Sequence, residues 1–196
     1  SGQLWIDGND ITRLTLSDLR GLVGLVPQEG FLFTASLAEN LRYGDPEAPF
    51  SSVERAAQQA RLEADIKGFP DGYETLVGER GITLSGGQRQ RTSLGRALLV
   101  DSPLLVLDDA LASVDNNTAA AILRSIRAEQ SKEGQGRTIL MISHQLSAAA
   151  ACDRVLVMED GRLVQQGHHD DLLAEGGTYR RLWDREQASE QLREVG

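Results

Sequence analysis

A serine and two glycines, Ser85-Gly86-Gly87, stand at the start of a stretch whose pattern predicts a helix. A serine side chain can cap such a helix, and the two glycines leave its first backbone N–H groups uncovered. Because those N–H groups have no partner within the helix, they form a site for an anion, and phosphate is the natural guest. Alone the triplet is a weak signal, since an ordinary glycine-rich turn entering a helix has the same composition.

The residues around this triplet make the signal specific. The segment Val77-Gly78-Glu79-Arg80-Gly81 precedes it, and Gln88-Arg89-Gln90-Arg91 follows it directly. Further on, the apolar run Leu104–Leu107 ends in two adjacent acids, Asp108 and Asp109. A serine hydrolase that uses Ser143 or Ser113 is not favoured, because the sequence has no Gly-x-Ser-x-Gly turn.

The elements that position these residues alternate between strands and helices. Strands are predicted at 4–6, 22–26, 104–107, 138–142 and 154–158, and the region 31–100 has helical periodicity. Within that region, Ser51 and Glu54 have the spacing of a capping box. A helix is predicted at 117–132 and two more at 169–193, separated by two glycines. This alternation predicts an α/β fold with a mostly parallel sheet, an antiparallel edge hairpin and a helical insert.

Composition excludes several classes of function. The formal charge of −9 argues against nucleic acid as a partner, since no basic face offsets it. The single cysteine, Cys152, cannot form an internal disulfide. No apolar run reaches the roughly 18 residues of a membrane helix, so we expect this stretch of chain to be soluble. Because no leader follows Ser1, we also expect the sequence to begin within a longer protein.

These motifs together resemble the ATP-binding cassette (ABC) family from Gly2 almost to the C-terminus. In that family two ATPase domains meet head to tail, and the signature of one closes over ATP held by the other. The signature here is Leu84-Ser85-Gly86-Gly87-Gln88. The resemblance implies the P-loop NTPase-like fold of ABC ATPases, ATP and Mg²⁺ as cofactors, and a second ABC ATPase subunit as partner.

Further site residues follow from the same resemblance. Asp108 matches the Walker B acid, which holds Mg²⁺ through water, and Gln28 matches the Q-loop glutamine that senses the metal and the attacking water. Asp109 stands at the position of the general base, and His144 matches the switch histidine at the γ-phosphate. Ser113 and Asp115 belong to the D-loop.

An exporter is favoured by three segments: Phe31–Thr34, Glu39–Leu41 and 71–81. In such exporters the membrane helices lie on the same chain as the ATPase, and the ATPase works at the cytoplasmic face of the membrane. Glu79, Arg80 and Gly81 would face a transmembrane coupling helix. The resemblance implies efflux of a drug, lipid or peptide, selected by membrane helices outside this sequence.

Two departures from the family pattern carry consequences. No Gly-x-x-x-x-Gly-Lys-Ser/Thr phosphate loop (Walker A) occurs, and we expect it upstream of Ser1. At the position of Asp109 the family usually has a glutamate. Aspartate is one methylene shorter, which draws the carboxylate back by about 1.5 Å. We expect Asp109 to be a poor base, because ~1 Å of misplacement can cost ~100-fold in rate. Since inactive sites of heterodimeric exporters often end in Asp-Asp, we interpret the chain as the degenerate half of a heterodimer.

The sequence therefore predicts one partial ABC ATPase domain over residues 1–196. Its parts would be a helical signature subdomain at about 31–100, a core at 101–175 and C-terminal helices at 176–196. Two alternatives stay open: a catalytically competent homodimeric exporter ATPase in which Asp109 still serves, and a soluble ABC ATPase without a pore.

Overall fold

The computed structural model describes residues 2–78, 81–133 and 136–195, which form two compact units within 1–142 and 143–196. The strands of the first unit are β1 (Trp5–Ile6), β2 (Asn9–Asp10), β3 (Val23–Val26), β4 (Ala35–Ser36), β5 (Leu76–Val77), β6 (Leu104–Asp108) and β7 (Thr138–Ile142). Its helices are α1 (Leu16–Gly21), α2 (Leu37–Arg42), α3 (Phe50–Gln59), α4 (Glu63–Gly68), α5 (Gly86–Leu99) and α6 (Asn116–Glu133).

A three-stranded parallel sheet with the order β3-β6-β7 forms the centre of the first unit. Its two faces differ, because side chains alternate along each strand. One face buries Val26, Leu105 and Leu107, and α5 packs against β3. The other face is apolar but open, with Leu25 56% and Leu140 46% exposed in one cross-strand row.

The helical insert between β3 and β6 packs around α5, which contacts both α2 and α3. The buried Asn40 of α2 fixes the segment before it: its Oδ1 accepts from the Phe33 N–H at 2.9 Å, and its Nδ2 donates to the Phe33 carbonyl at 3.0 Å. Arg96 of α5 donates to the Asn40 carbonyl and lies over the rings of Phe33 and Tyr43. Burial lowers the pKa of Arg96. Strands β4 and β5 pair beside this cluster.

The second unit contains the antiparallel hairpin of β8 (Val155–Glu159) and β9 (Arg162–Gly167) together with α7 (Leu146–Ala150), α8 (His169–Glu175) and α9 (Thr178–Val195). Its small core consists of Val155, Val157, Leu172 and Tyr179. His169 contacts this core: its Nδ1 lies 2.8 Å from the hydroxyl of Tyr179.

The α/β class, the parallel sheet and the helical insert are confirmed. The expected capping box at Ser51 and Glu54 is wrong, because α3 begins two residues earlier than that box requires, after Pro49, and no side chain caps it. Phe50, which precedes Ser51, packs its ring edge against Tyr73 and so belongs to the helix. The predicted strand at 22–26 is present as β3 and is buried on one face only. None of the described helices has the length and apolar character required to cross a bilayer.

Candidate functional site

The N-terminus of α5 is built by a reciprocal cap. The Ser85 hydroxyl accepts from the Gln88 backbone N–H at 3.2 Å, and the Gln88 side chain accepts from the Ser85 backbone N–H at 2.9 Å. Leu84 is buried and anchors the turn that leads into the helix. Since the cap occupies the N–H groups of Ser85 and Gln88, the N–H groups of Gly86 and Gly87 between them stay available to an anion.

The two signature glycines lie against the D-loop. A Cβ at Gly87 would stand 2.8 Å from the carbonyl oxygen of Ser113, closer than real Cβ atoms approach. A Cβ at Gly86 would meet only the Ser113 side chain at 3.4 Å, which is ordinary contact. Gly87 is therefore required for the approach of two backbones, as well as for leaving its own N–H uncovered.

Gln90, which was not among the residues predicted from sequence, connects three of these motifs. Its side chain is buried, its Oε1 accepts from the Ser113 N–H at 2.8 Å, and its Nε2 donates to the Gln28 carbonyl at 3.5 Å. A signal for it exists in the sequence, because Gln90 shares helical spacing with the buried Leu94 and Ala97. A polar residue on the apolar stripe of a helix requires hydrogen-bond partners.

The acid pair ends β6 in two different conformations. Asp108 is the last strand residue, whereas Asp109 has a left-handed backbone with φ of 47° and donates its N–H to the Ile142 carbonyl at 2.9 Å. The Gln28 amide donates to Asp109 Oδ2 at 3.5 Å. Asp109 Oδ1 is buried without a hydrogen-bond partner among the described residues. A left-handed aspartate and an unpaired buried oxygen together mark a site that a ligand completes.

This donor set fits a magnesium ion. Carboxylate and amide oxygens are the hard ligands that Mg²⁺ prefers, and it commonly binds one or two carboxylates together with water and phosphate. Asp108 supplies a carboxylate at the end of the strand, and the unpaired oxygen of Asp109 remains for a water molecule. Because the Gln28 amide nitrogen faces Asp109, its Oε1 is the atom left for a cation.

The D-loop runs from this acid pair into α6. Asp115 caps that helix, since its Oδ1 accepts from the Thr118 N–H at 2.9 Å. Hydrogen bonds from the Thr118 backbone and side chain hold the pKa of the exposed Asp115 carboxyl below its usual value. The strand, the D-loop and α6 therefore form one continuous path from Asp109 through Ser113 to Asp115.

His144 belongs to the second unit and is exposed, two residues after β7 ends. The helix that follows it is held by Glu186 of α9, which accepts from the Leu146 N–H at 2.7 Å. This carboxylate satisfies an N–H at the start of α7 from a remote position. No local pattern in the sequence indicates that contact, because 40 residues separate its partners.

Of the three predicted coupling residues, Glu79 and Arg80 lie outside the described residues. Gly81 is described, and its N–H donates to the Gly78 carbonyl at 3.2 Å. A Cβ on Gly81 would overlap the Leu76 carbonyl oxygen, and one on Gly78 would stand 3.1 Å from the Phe33 carbonyl oxygen. Both glycines thus permit close backbone approach, and Gly78 lies beside the aromatic segment at Phe31–Thr34.

Comparison with known proteins gives consistent matches. A family model described as ABC transporter matches residues 1–112. The chain is 41% identical over 186 residues to the probable multidrug resistance ABC transporter ATP-binding/permease protein YheI of Bacillus subtilis, covering 95% of this chain and 31% of that protein. It is 40% identical over 194 residues to human ATP-binding cassette sub-family B member 6, covering 99% of this chain and 23% of that protein.

A solved structure, that of a bacterial Atm1-family ABC exporter with ATP bound, superposes with a TM-score of 0.87 at 40% identity. The match covers 95% of this chain and 32% of the exporter. The chain thus spans less than a third of the length of these relatives, and its fold is that of the exporter's ATPase part.

Substituting alanine at each signature glycine separates their two structural roles. We expect Gly87→Ala to lower the free energy of unfolding by about 1–3 kcal/mol, because its Cβ overlaps the Ser113 carbonyl oxygen. Gly86→Ala is the matched control, with no loss or a gain of up to about 1 kcal/mol from its higher helix propensity. Urea unfolding followed by circular dichroism measures both values, and equal losses would contradict the contact.

Proposed function

The chain belongs to the ABC transporter family, as an exporter-type nucleotide-binding domain, and from that premise we propose that it binds and hydrolyses ATP to drive substrate export across a membrane. The observation that carries the proposal is the capped N-terminus of α5, which leaves two N–H groups free and whose glycines lie against the D-loop that follows the acid pair. The ATPase would act at the cytoplasmic face of the membrane, on one chain with the transmembrane helices.

The residues divide between two ATP molecules in a head-to-tail dimer. Leu84–Gln88 would face ATP held by the partner, with the Ser85 hydroxyl and the Gly86 and Gly87 N–H groups on its γ-phosphate. Gln28, Asp108, Asp109 and His144 would face ATP held by this chain. The signature N–H groups would hold the γ-phosphate oxygens both before and during transfer, since they are oriented before the reaction.

Asp108, with the amide oxygen of Gln28, would hold Mg²⁺. When bound, the ion offsets the negative charge of the phosphate oxygens. Gln28 would also orient the attacking water, and Asp109 would accept its proton. His144 would donate a hydrogen bond to the γ-phosphate.

The open face of the parallel sheet supports a further part of this proposal. Leu25, Leu140 and Ile142 expose about half of their surface on one face of three adjacent strands. A contiguous apolar face of this kind requires a cover. We propose that a segment of the full-length protein that carries the phosphate loop packs on it and completes the ATP site.

The geometry of Asp109 supports the proposal that this chain is the degenerate half of a heterodimer. Its side chain is one methylene shorter than the usual glutamate, and its left-handed backbone fixes the direction in which that side chain leaves the chain. A carboxylate held back from the attacking water is a weak base. A competent homodimer is the second candidate, favoured by the existing contact between Gln28 and Asp109.

We expect Asp109→Glu to raise ATP turnover of the full-length subunit by about tenfold or more, because the longer side chain reaches the water. Steady-state phosphate release measures it. Asp160→Glu is the matched control, since Asp160 also has a left-handed backbone, with φ of 49°, but lies in the β8–β9 turn. Brisk turnover by the unchanged subunit, together with no rise in the variant, would refute the degenerate site and favour the homodimer.

The aromatic segment near Gly78 supports contact with the transmembrane part. Phe31 is 65% exposed, its ring packs edge-on against Phe33 at 5.0 Å, and Phe33 in turn contacts the exposed Tyr43. Aromatic groups held rigidly at a surface are typical anchors of an interface. We propose that this surface, together with Glu79–Gly81, receives the coupling helix.

Cysteine labelling tests this surface without knowledge of the substrate. In a Cys152→Ser background, we expect Phe31→Cys to react with a maleimide at least about tenfold more slowly in the full-length exporter than in the separate chain, because the coupling helix covers it. Arg124→Cys, at an exposed position of α6, is the control and should react alike in both. Equal rates at position 31 would exclude this surface from the interface.

A further inference from the structure

Asp65, on the short helix α4, holds two side chains of the signature helix at once. Its Oδ1 accepts from Gln88 Nε2 at 2.9 Å, and its Oδ2 accepts from Arg91 Nη1 at 2.6 Å. The ion pair is shielded from water, with the Asp65 and Arg91 side chains 18% and 15% exposed. Each carboxylate oxygen therefore has its own donor, and both donors come from the first turns of α5.

The two side chains that Asp65 holds also form hydrogen bonds with the backbone of the turn Ser85–Gly87. Gln88 accepts from the Ser85 N–H at 2.9 Å, and Arg91 Nε donates to the Gly87 carbonyl at 3.3 Å. These contacts lie at the two ends of the tripeptide Ser85–Gly87. A rotation of either side chain would release one end and turn the N–H groups of Gly86 and Gly87.

A second contact of Arg91 makes this arrangement rigid. Its Nη1 also donates to the carbonyl of Arg61, a residue with φ of 58° in the link between α3 and α4. Arg91 is thus held by a carboxylate and by a carbonyl from the same part of the insert. Because charge-assisted hydrogen bonds are stronger than neutral ones, Asp65 is the partner whose loss would free Arg91 most.

We propose that Asp65 is a positioning residue for the signature, which orients the free N–H groups of Gly86 and Gly87 toward a phosphate through Gln88 and Arg91. This inference rests on the proposed function, in which those N–H groups bind the γ-phosphate of the partner's ATP. Asp65 touches no substrate itself. Its effect reaches the phosphate through two hydrogen bonds.

A purely structural role of Asp65 would have a different effect on the kinetics. If Asp65 only attached α4 to α5, its loss would lower stability and leave the affinity of the folded enzyme for ATP unchanged. If it orients the N–H groups, its loss weakens contacts made in both the ground state and the transition state. Such a loss raises KM more than it lowers kcat.

The test uses the full-length exporter in its membrane assembly, with ATP turnover as the readout. In Asp65→Asn, which keeps the size of the side chain and removes its charge, we expect KM for ATP to rise about tenfold while kcat stays within about twofold. Glu63→Gln makes the same chemical change at an exposed position of α4 and is the control. Thermal unfolding of each variant shows that it is folded.

A double-mutant cycle tests whether Asp65 acts through Gln88. Gln88→Ala removes one of the two side chains through which Asp65 acts, so the effects of Asp65→Asn and Gln88→Ala on KM should be less than additive. An unchanged KM in Asp65→Asn, or fully additive effects, would overturn the inference. The proposed function fails in a different way, namely if the unmodified exporter turns over no ATP.

Discussion

A helix begins with N–H groups that its own backbone cannot satisfy, and in α5 two of them are left free by the cap between Ser85 and Gln88. Their use depends on direction, because an N–H group stabilises a phosphate only when it points at it. Other contacts fix the direction of these N–H groups. Asp65 and Arg91 act from one side, and the Ser113 carbonyl of the D-loop acts from the other. A glycine pair without these supports would be an ordinary flexible turn.

The packing of α5 also connects the signature directly to the D-loop. Gln90 bonds the Ser113 N–H, and the backbone of Gly87 leaves no space for a side chain between it and Ser113. The same Gln90 reaches the Gln28 carbonyl, beside the acid pair. In the proposed dimer, a change at this chain's own ATP would be transmitted through Gln28 and Gln90 to the surface that would face the partner's ATP.

Local features of the site could be predicted from sequence, and distant ones could not. The cap of α5 follows from the spacing of Ser85 and Gln88, and Asp108 follows from the end of an apolar strand, since both patterns are contained in a few residues. Asp65 stands 23 residues before Gln88 and looks like any surface acid until the fold pairs them. Strands β4 and β5 are two residues each, too short to show alternation. At Ser51 the correct spacing of a capping box was overridden by the packing of Phe50 on Tyr73.

The two acids at the end of β6 differ in conformation, and this difference bears on how the two ATP sites of the proposed dimer would differ. Asp108 stays in the strand, whereas Asp109 turns into a left-handed conformation that a side chain adopts only at a cost. That conformation begins the D-loop, because the Asp109 carbonyl accepts from the Ala112 N–H at 3.2 Å. The backbone of residue 109 thus sets the course of the D-loop independently of its carboxylate. In the proposed asymmetric dimer, a shorter acid would weaken this chain's own chemistry and would preserve the backbone that supports the partner's site.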